Sequence, residues 1–575
     1  MIHLPAHYTL LCQRSPEEQA FGTALAKEFS LPEPVGELLH SRGINTLDQA
    51  QAYLFPHLSM LPSPDTMKGM AEAVDCIMTV CALHQPIYIH GDYDVDGISA
   101  TALLVTFFRE IGRSPFYYIP NRLQESYGLS IESIEQLINQ CQEKGGVLIT
   151  VDCGISAIKE VAYAKQQGLR VVVTDHHEPQ EQIPSADAIL NPKQPGCTFS
   201  NSSLSGVGVA FFLLMALRKA MGLSLNLKKY LDLVALGTVA DVVPLQGINR
   251  ILVRAGLEVL SARNRIGVYS LCDLSGIDSR EVLSEDISFR LAPRINAAGR
   301  LGCPLVGVEL LLADTTEAAY VSAKRLEAMN QERKQLEASA LHAMETDFIK
   351  QVTTNCYGII LYQDECHAGV LGILASRFAD RCHRPVIVFT DENKSGKEGF
   401  LRGSGRSVPG INLFQVLEEC SFLLKQFGGH AMAVGLTIHK NHLSRFQAIF
   451  NEKIKYVVEQ RPATAHAYID YFLSGAHLLS PVFARALQRM QPFGEGNHEP
   501  ILFLARQRLL SAKPRNGHLT FQLHGAGEML HGIGFNLGVR DFNYSLPANL
   551  AFHLKRSWYR GNERTQIHAL TISTP

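Results

Sequence analysis

The chain has 575 residues, of which 46% are hydrophobic and 19% charged, and its formal net charge is −2. That is an ordinary globular balance, long enough for about three to four domains. The charge neither supports nor excludes nucleic acid, because a local groove can hold a positive field on a chain that is neutral overall. Twelve cysteines occur without any Cys-x-x-Cys pair, which argues against a structural zinc site and a secreted disulfide framework and fits a reducing cytoplasm. Residues 1–15 lack a basic stretch followed by an apolar core, so no signal peptide is expected. The longest apolar run, 207–217, is too short to span a bilayer and reads as a buried helix.

Residues 1–80 read as a helical segment punctuated by Pro32, Pro34, Pro56, Pro62 and Pro64. Ser41-Arg42-Gly43-Ile44 reads there as a helix end and turn. From about 85 to 260 the pattern alternates. Strands are predicted at 86–90, 115–119, 147–152, 170–174 and 186–190. Helices are predicted at 98–111, 130–143, 156–167, 206–221 and 227–238. This alternation predicts a parallel sheet with helices on both faces.

The chemistry collects at the strand ends. His90-Gly91-Asp92-Tyr93-Asp94-Val95-Asp96-Gly97 places three carboxylates within five residues, between an apolar run and a helix. A strand over 147–151 ends in Asp152-Cys153-Gly154, and one over 171–174 ends in Asp175-His176-His177. Asp241, after the apolar stretch 233–239, is a fourth candidate of the same kind. In open α/β sheets ligands bind at the carboxyl ends of the strands. Oxygen-rich clusters suit hard divalent cations such as Mg²⁺ and Mn²⁺. Taken alone, the first acidic turn would also serve as a helix cap with solvated neighbours.

Further along, Pro120-Asn121-Arg122 lies between two elements. Arg294, Asn296 and Arg300 sit among Pro, Ala and Gly, whose small bulk lets a guanidinium approach a phosphate. Residues 315–350 contain no Gly or Pro and are rich in strong helix formers, with Asp314 and Glu317 as an expected capping box. This is the expected connector between two halves, about 50 Å long. From 358 to about 438 the chain returns to α/β, with strands at 358–362 and 385–389 and a helix at 370–382. Leu401-Arg402-Gly403-Ser404-Gly405-Arg406-Ser407 reads as exposed amides, hydroxyls and guanidiniums suited to phosphate. Gly428-Gly429-His430 reads as a turn. Short strand-like runs at 501–505, 519–523, 530–535, 549–554 and 565–572 predict a small barrel. Lys555-Arg556-Ser557-Trp558-Tyr559-Arg560 mixes cations with aromatics, as suits stacking on bases.

Taken together, Gly91-Asp92-Tyr93-Asp94-Val95-Asp96-Gly97, Val151-Asp152-Cys153-Gly154, Asp175-His176-His177 and Ala240-Asp241-Val242-Val243-Pro244 resemble the four motifs of the DHH phosphoesterase superfamily. Within it they are most similar to the single-stranded-DNA 5′→3′ exonucleases. The segments 293–300, 403–407 and 428–431 strengthen the likeness, which runs over roughly residues 20–575. It implies an α/β multidomain fold with these parts: an N-terminal helical segment (1–80), a DHH catalytic domain (81–312), a connector helix (313–350), a DHH-associated domain (351–462) and a C-terminal OB-fold barrel (463–575).

The resemblance also implies two divalent ions, Mn²⁺ or Mg²⁺, about 3.5–4 Å apart. Asp152 would bridge them. Asp94 and Asp96 would each take one ion, shared with His176 and Asp241, and Asp92 would complete the shell. His177 would meet the scissile phosphate, with Asp175 orienting the imidazoles. Arg122, Arg294, Asn296, Arg300, Ser404, Arg406 and His430 would bind substrate, Ser404 and Arg406 at the 5′ end. His90 stays open as an extra ligand. The implied activity is single-strand-specific release of 5′-mononucleotides in repair and recombination, by a cytoplasmic monomer helped by a helicase or single-strand-binding protein. Two rivals remain: a phosphodiesterase for short oligonucleotides or cyclic dinucleotides, which would leave the long connector and barrel unused, and a non-catalytic single-strand-binding scaffold, which would be marked by lost ligands.

Overall fold

The β-branched runs predicted as strands form one five-stranded sheet in the computed structural model. The strands are β1 (Ile87–Gly91), β2 (Phe116–Tyr118), β3 (Val147–Val151), β4 (Arg170–Thr174) and β5 (Ala188–Leu190), in the order β2-β1-β3-β4-β5. All neighbours are parallel. β1 and β3 are buried along their whole length, as expected when helices cover both faces. Tyr88, Leu148 and Val171 pack on one face, and Ile87, Ile89, Ile149 and Val172 join the larger core on the other. The structure describes residues 16–573 except 126–127, 142–144, 278–280, 355, 393–398, 461–468, 539–545 and 560–561. For 557–559 and 562–563 it describes the backbone alone. The signal-peptide expectation for residues 1–15 therefore lies outside the described residues.

The connector is a helix from Thr316 to Thr353. Its N-cap is Thr315, whose Oγ1 accepts the Ala318 amide at 3.2 Å. The expected Asp314–Glu317 box is thus replaced by a hydroxyl cap one residue later. The helix belongs to two cores. Ala319, Ala323 and Leu326 pack with the first sheet's core, while Ala340, Met344 and Phe348 pack with the second domain. Between these apolar halves lie buried Asn330, Arg333 and Glu337. Arg333 donates to Glu337 at 2.6 Å and to Asn330 at 2.8 Å, which offsets the cost of burying its charge.

The second sheet contains β6 (Ile359–Tyr362), β7 (Val386–Asp391), β8 (Phe400–Arg406), β9 (Leu424–His430) and β10 (Ala433–His439), in the order β6-β7-β8-β10-β9. β8 pairs antiparallel with β7 and with β10. Its amides are therefore spent in the ladder, contrary to the exposed amides expected for 401–407. Alternation along the strand leaves Arg402, Ser404 and Arg406 on one face. Gly428-Gly429-His430 likewise ends a strand, and the reversal follows it.

The third sheet has seven strands: β11 (Tyr471–Phe472), β12 (Leu502–Gln507), β13 (Leu510–Arg515), β14 (His518–His524), β15 (Met529–Gly534), β16 (Ala548–Tyr559) and β17 (Asn562–Ser573). Their order is β11-β12-β16-β17-β15-β14-β13. Its core also contains Leu25, Val35, Leu38, Leu39, Ala50 and Leu54, so the first helices of the chain pack with its last strands. Among the described residues, no helix is long and apolar enough to cross a membrane.

Candidate metal centre and substrate cleft

Each strand of the first sheet that ends in a carboxylate delivers it to one edge. Asp92 follows β1. Two residues on, Asp94 caps the helix Val95–Glu110, its Oδ1 accepting the amides of Asp96 (2.9 Å) and Gly97 (3.1 Å). Asp96 turns inward. Its two oxygens accept the Gly206 amide at 2.6 Å and the Val207 amide at 3.0 Å, at the start of the helix Gly206–Ala220. Helix N-termini favour such anions.

Asp152 follows β3 and Asp175-His176-His177 follow β4. Asp241 arrives differently from the expectation. It caps the C-terminus of a helix, Leu231–Ala240, and not a strand. The helix itself is the one expected at 227–238; it runs on to Ala240 and is buried on all sides, so the apolar run 233–239 is its last turns and not a strand.

The geometry brings Asp92, Asp94, Asp96, Asp152, His176, His177 and Asp241 together. Ligand atoms of Asp92, Asp94 and Asp152 lie within 4.8 Å of one another, as do those of Asp96, His176 and Asp241, and those of Asp152, His176 and His177. His176 Nε2 is 3.1 Å from Asp152 Oδ1 and 3.5 Å from Asp241 Oδ2. Asp92 Oδ1, Asp152 Oδ1, His176 Nε2 and Asp241 Oδ2 are all buried without a hydrogen-bond partner. Buried polar atoms left unpaired are costly, and these converge.

The electrostatics agree. Burial, followed by the neighbouring carboxylates, raises Asp92 and Asp152 well above the usual range, Asp96 to about 7 and Asp241 to about 9. Burial lowers His176 to about 3. A neutral imidazole and crowded carboxylates, all oxygen and nitrogen donors, fit hard divalent cations. Two backbone outliers aim the set: Asp152 has φ +61° and Val242, beside Asp241, has φ +60°. Such residues cost about 1–3 kcal/mol each and cluster at functional sites.

His90 is in none of these groups. Its Nδ1 lies 3.6 Å from Cys153 Sγ, and burial lowers its pKa to about 4. Asp175 is fully engaged by its neighbours. It accepts the Ile155 amide at 2.9 Å and the His177 Nδ1–H at 2.7 Å. For His177, burial is the largest single influence and acts downward. The Asp175 hydrogen bond and charge outweigh it, so the pKa ends raised.

The substrate candidates divide. Burial first, and then Arg122, Arg406 and Arg333, lower Arg300 to about 9. Arg122 stacks 5.1 Å over Tyr93 and acts on Asp92. Arg300 crosses to the second domain, donating to the Gly369 carbonyl at 3.1 Å. A Cβ at Gly372 would stand 3.0 Å from Arg406 Nη2 and 3.2 Å from Ser404 Oγ, so that glycine leaves room for both. His430 is lowered by partial burial and then by Arg406 and His177, which puts it beside both groups. Arg294 is drawn away: it pairs with Glu327 of the connector at 2.5 Å and donates to the Arg290 carbonyl at 2.6 Å. Asn296 stands one turn before Arg300 on a helix, Ala292–Arg300, where the composition had suggested only a low-bulk segment.

Several contributors were not singled out from sequence. Asn191, fully buried, donates to the His177 carbonyl at 2.9 Å. Gly206 lets Asp152 pack closely, since a Cβ there would meet its side chain at 2.7 Å. Ser205 before two spaced glycines was the available signal. In the third domain, Lys555 is held by Glu285 at 2.5 Å and Glu499 at 2.9 Å, and Arg556 by Gln488. The side chains of 557–560 lie outside the described residues.

This carboxylate–imidazole edge on a parallel sheet, joined by a long helix to a second α/β domain, defines a DHH-family protein: residues 86–238 match the DHH family, N-terminal domain, and 354–456 the DHHA1 domain. Residues 469–570 match the RecJ OB domain. The chain is 38% identical over 537 residues to the single-stranded-DNA-specific exonuclease RecJ of Haemophilus influenzae, covering 89% of this chain and 91% of that one. It is 37% identical to the Escherichia coli protein of the same name, covering 93% and 95%. The crystal structure of RecJ in complex with Mn²⁺ from Thermus thermophilus superposes with a TM-score of 0.80 at 28% identity, covering 97% of this chain and 78% of that one. Its Mg²⁺ counterpart gives 0.74 at 27% identity, covering 97% and 77%. The chain belongs to the RecJ family.

Proposed function

We propose that this chain is a single-stranded-DNA-specific exonuclease that hydrolyses phosphodiester bonds from the 5′ end and releases 5′-mononucleotides. The observation that carries this is the adjacency of two opposed clusters. Buried, unpaired carboxylate and imidazole atoms stand beside Arg300 and Arg406, both lowered first by burial and then by the charge of Arg122. The first suits cations and the second suits phosphate.

Asp92, Asp94 and Asp152 would hold one Mn²⁺ or Mg²⁺, and Asp96, His176 and Asp241 a second. Bound there, such ions polarise the scissile phosphate and activate water. The chain's own residues do the rest. Asp175 fixes the His177 ring by the 2.7 Å hydrogen bond and favours its cationic form, which places positive charge where the phosphate gains negative charge. Arg122, Arg300, Ser404 and Arg406 hold the terminal phosphate and set the register, and His430 closes the cleft from the second domain. Arg294 acts through Glu327, bracing the helix that bears Arg300, and Asn296 faces the strand beside it.

The OB domain and the long connector favour a polymer over a dinucleotide. In this account the enzyme works as a cytoplasmic monomer in repair and recombination, receiving single strands from a helicase or a single-strand-binding protein. The domain limits in this reading are 1–80, 81–312, 313–350, 351–462 and 463–575, which contain the matched segments 86–238, 354–456 and 469–570. The N-terminal helices, packed in the core of the third sheet, serve the OB domain. The test compares a single strand, a blunt duplex and a duplex with a 5′ overhang. Degradation of the first, trimming of the overhang and an intact blunt duplex are expected. Equal digestion of blunt duplex would overturn the proposal.

A further inference from the structure

Ahead of the helix Ala292–Arg300 the chain makes one π-helical turn, Ile287–Leu291. Such wide turns occur mostly singly, often at functional sites. Ile287 and Leu291 are buried, while Phe289 between them is 79% exposed, more than any other large apolar side chain described. A lone apolar residue in water is ordinary. The placement of this one is not.

Phe289, Pro293, Asn296 and Arg300 are spaced four, three and four apart, which puts them on one helical face. At the far end of that face Arg300 joins Arg122 and Arg406. At the near end, Glu285 binds Lys555 of β16 at 2.5 Å, and Ser284 Oγ donates to the Phe493 carbonyl at 2.6 Å. The ring therefore stands between the arginine cluster and the OB domain. Arg290 beside it is half-exposed, 3.5 Å from Asp286. Eleven residues of helix span about 16 Å, about five nucleotides at the stacked spacing of roughly 3.4 Å and fewer in an extended strand.

We infer that Phe289 is a stacking platform for a base within about five nucleotides of the 5′ end, a positioning residue that makes the enzyme prefer strands over dinucleotides. This rests on the exonuclease proposal above. Aromatic platforms serve single strands of any sequence, because every base has a π-face.

The experiment compares wild type with Phe289→Ala and Phe289→Trp. KM and kcat are measured on a 5′-phosphorylated strand of about twelve nucleotides and on a dinucleotide. In chelator, binding of the same strand is followed by 2-aminopurine fluorescence, with the probe at each of the first few positions. Phe289→Ala should raise KM on the longer strand about tenfold or more, leave kcat and the dinucleotide KM unchanged, and abolish quenching at one or two positions. Phe289→Trp should restore all of these. Unchanged KM and unchanged quenching in Phe289→Ala would overturn the inference. So would equal losses on both substrates with a lowered melting temperature. Failure of the exonuclease proposal would show separately, as no cleavage by wild type, while the fluorescence still reports whether the ring stacks.

Discussion

Asp175 Oδ1 accepts the His177 Nδ1–H at 2.7 Å and, at the same oxygen, the backbone amides of His176 (2.7 Å) and His177 (3.1 Å). One buried carboxylate thus fixes the His177 ring and the backbone that carries both imidazoles, and the Ile155 amide holds its other oxygen. Burial acts upward on Asp175, but these bonds prevail and its pKa ends lowered.

Asp175→Asn should therefore lower kcat about 10–100-fold, as loss of an orienting partner commonly does, with KM for single-stranded DNA little changed. Steady-state kinetics on a defined strand would check this. A changed KM with intact kcat would assign Asp175 to binding.

Cation binding should stabilise the fold, and more so at high pH. Asp96 and Asp241, raised to about 7 and about 9, hold protons more tightly folded than unfolded. In chelator, stability should thus fall as pH rises from about 4 through those values. Ligands must be deprotonated to bind a metal. Added Mn²⁺ should raise the melting temperature strongly at pH 8 and weakly at pH 5.5. At 100-fold excess over Kd the gain is about 2.7 kcal/mol. Thermal melts at the two pH values, with Mn²⁺ and with chelator, would measure it.

How much of this site was legible depended on how local each feature was. Asp92, Asp152 and Asp175 could be placed because each follows a short apolar run, rich in β-branched residues or closed by a turn, that favours a buried strand over a helix. The helix before Asp241 was legible, expected at 227–238 and found over Leu231–Ala240, but its last turns, 233–239, are largely apolar, and such a run also reads as a buried strand ending in a carboxylate. The amides of β8 looked available because glycines read as loop, yet two neighbouring strands claim them. Asn191, the Gly206 contact and the packing of residues 25–54 with the third sheet depend on segments distant in sequence, which no local pattern reports.

Removing Arg406 should make the enzyme indifferent to the end group. Wild type should prefer a 5′-phosphorylated strand to its dephosphorylated form. Arg406→Gln should erase that preference, at a cost of about 10–100-fold in kcat/KM for the phosphorylated strand, the size of one charged hydrogen bond. A preference that survives the substitution would place the terminal phosphate elsewhere.

Arg250 ties three segments together. It stacks 3.8 Å over Tyr53 and donates to the carbonyls of Tyr53 (3.0 Å), Met490 (3.0 Å) and Arg489 (3.3 Å). Arg250→Ala should destabilise the junction by on the order of 3 kcal/mol. Arg250→Lys should not rescue it, because only a planar fork reaches all three acceptors. Limited proteolysis should then release the OB domain earlier than in wild type.

The central claim is best tested with a single-stranded DNA labelled at its 3′ end, incubated with Mn²⁺, with Mg²⁺ and with chelator, using wild type and Asp152→Asn. Labelled products that shorten stepwise with either cation, and that vanish in chelator and in the variant, are the predicted result. Immediate release of labelled mononucleotide, or full activity in chelator or in Asp152→Asn, would contradict it.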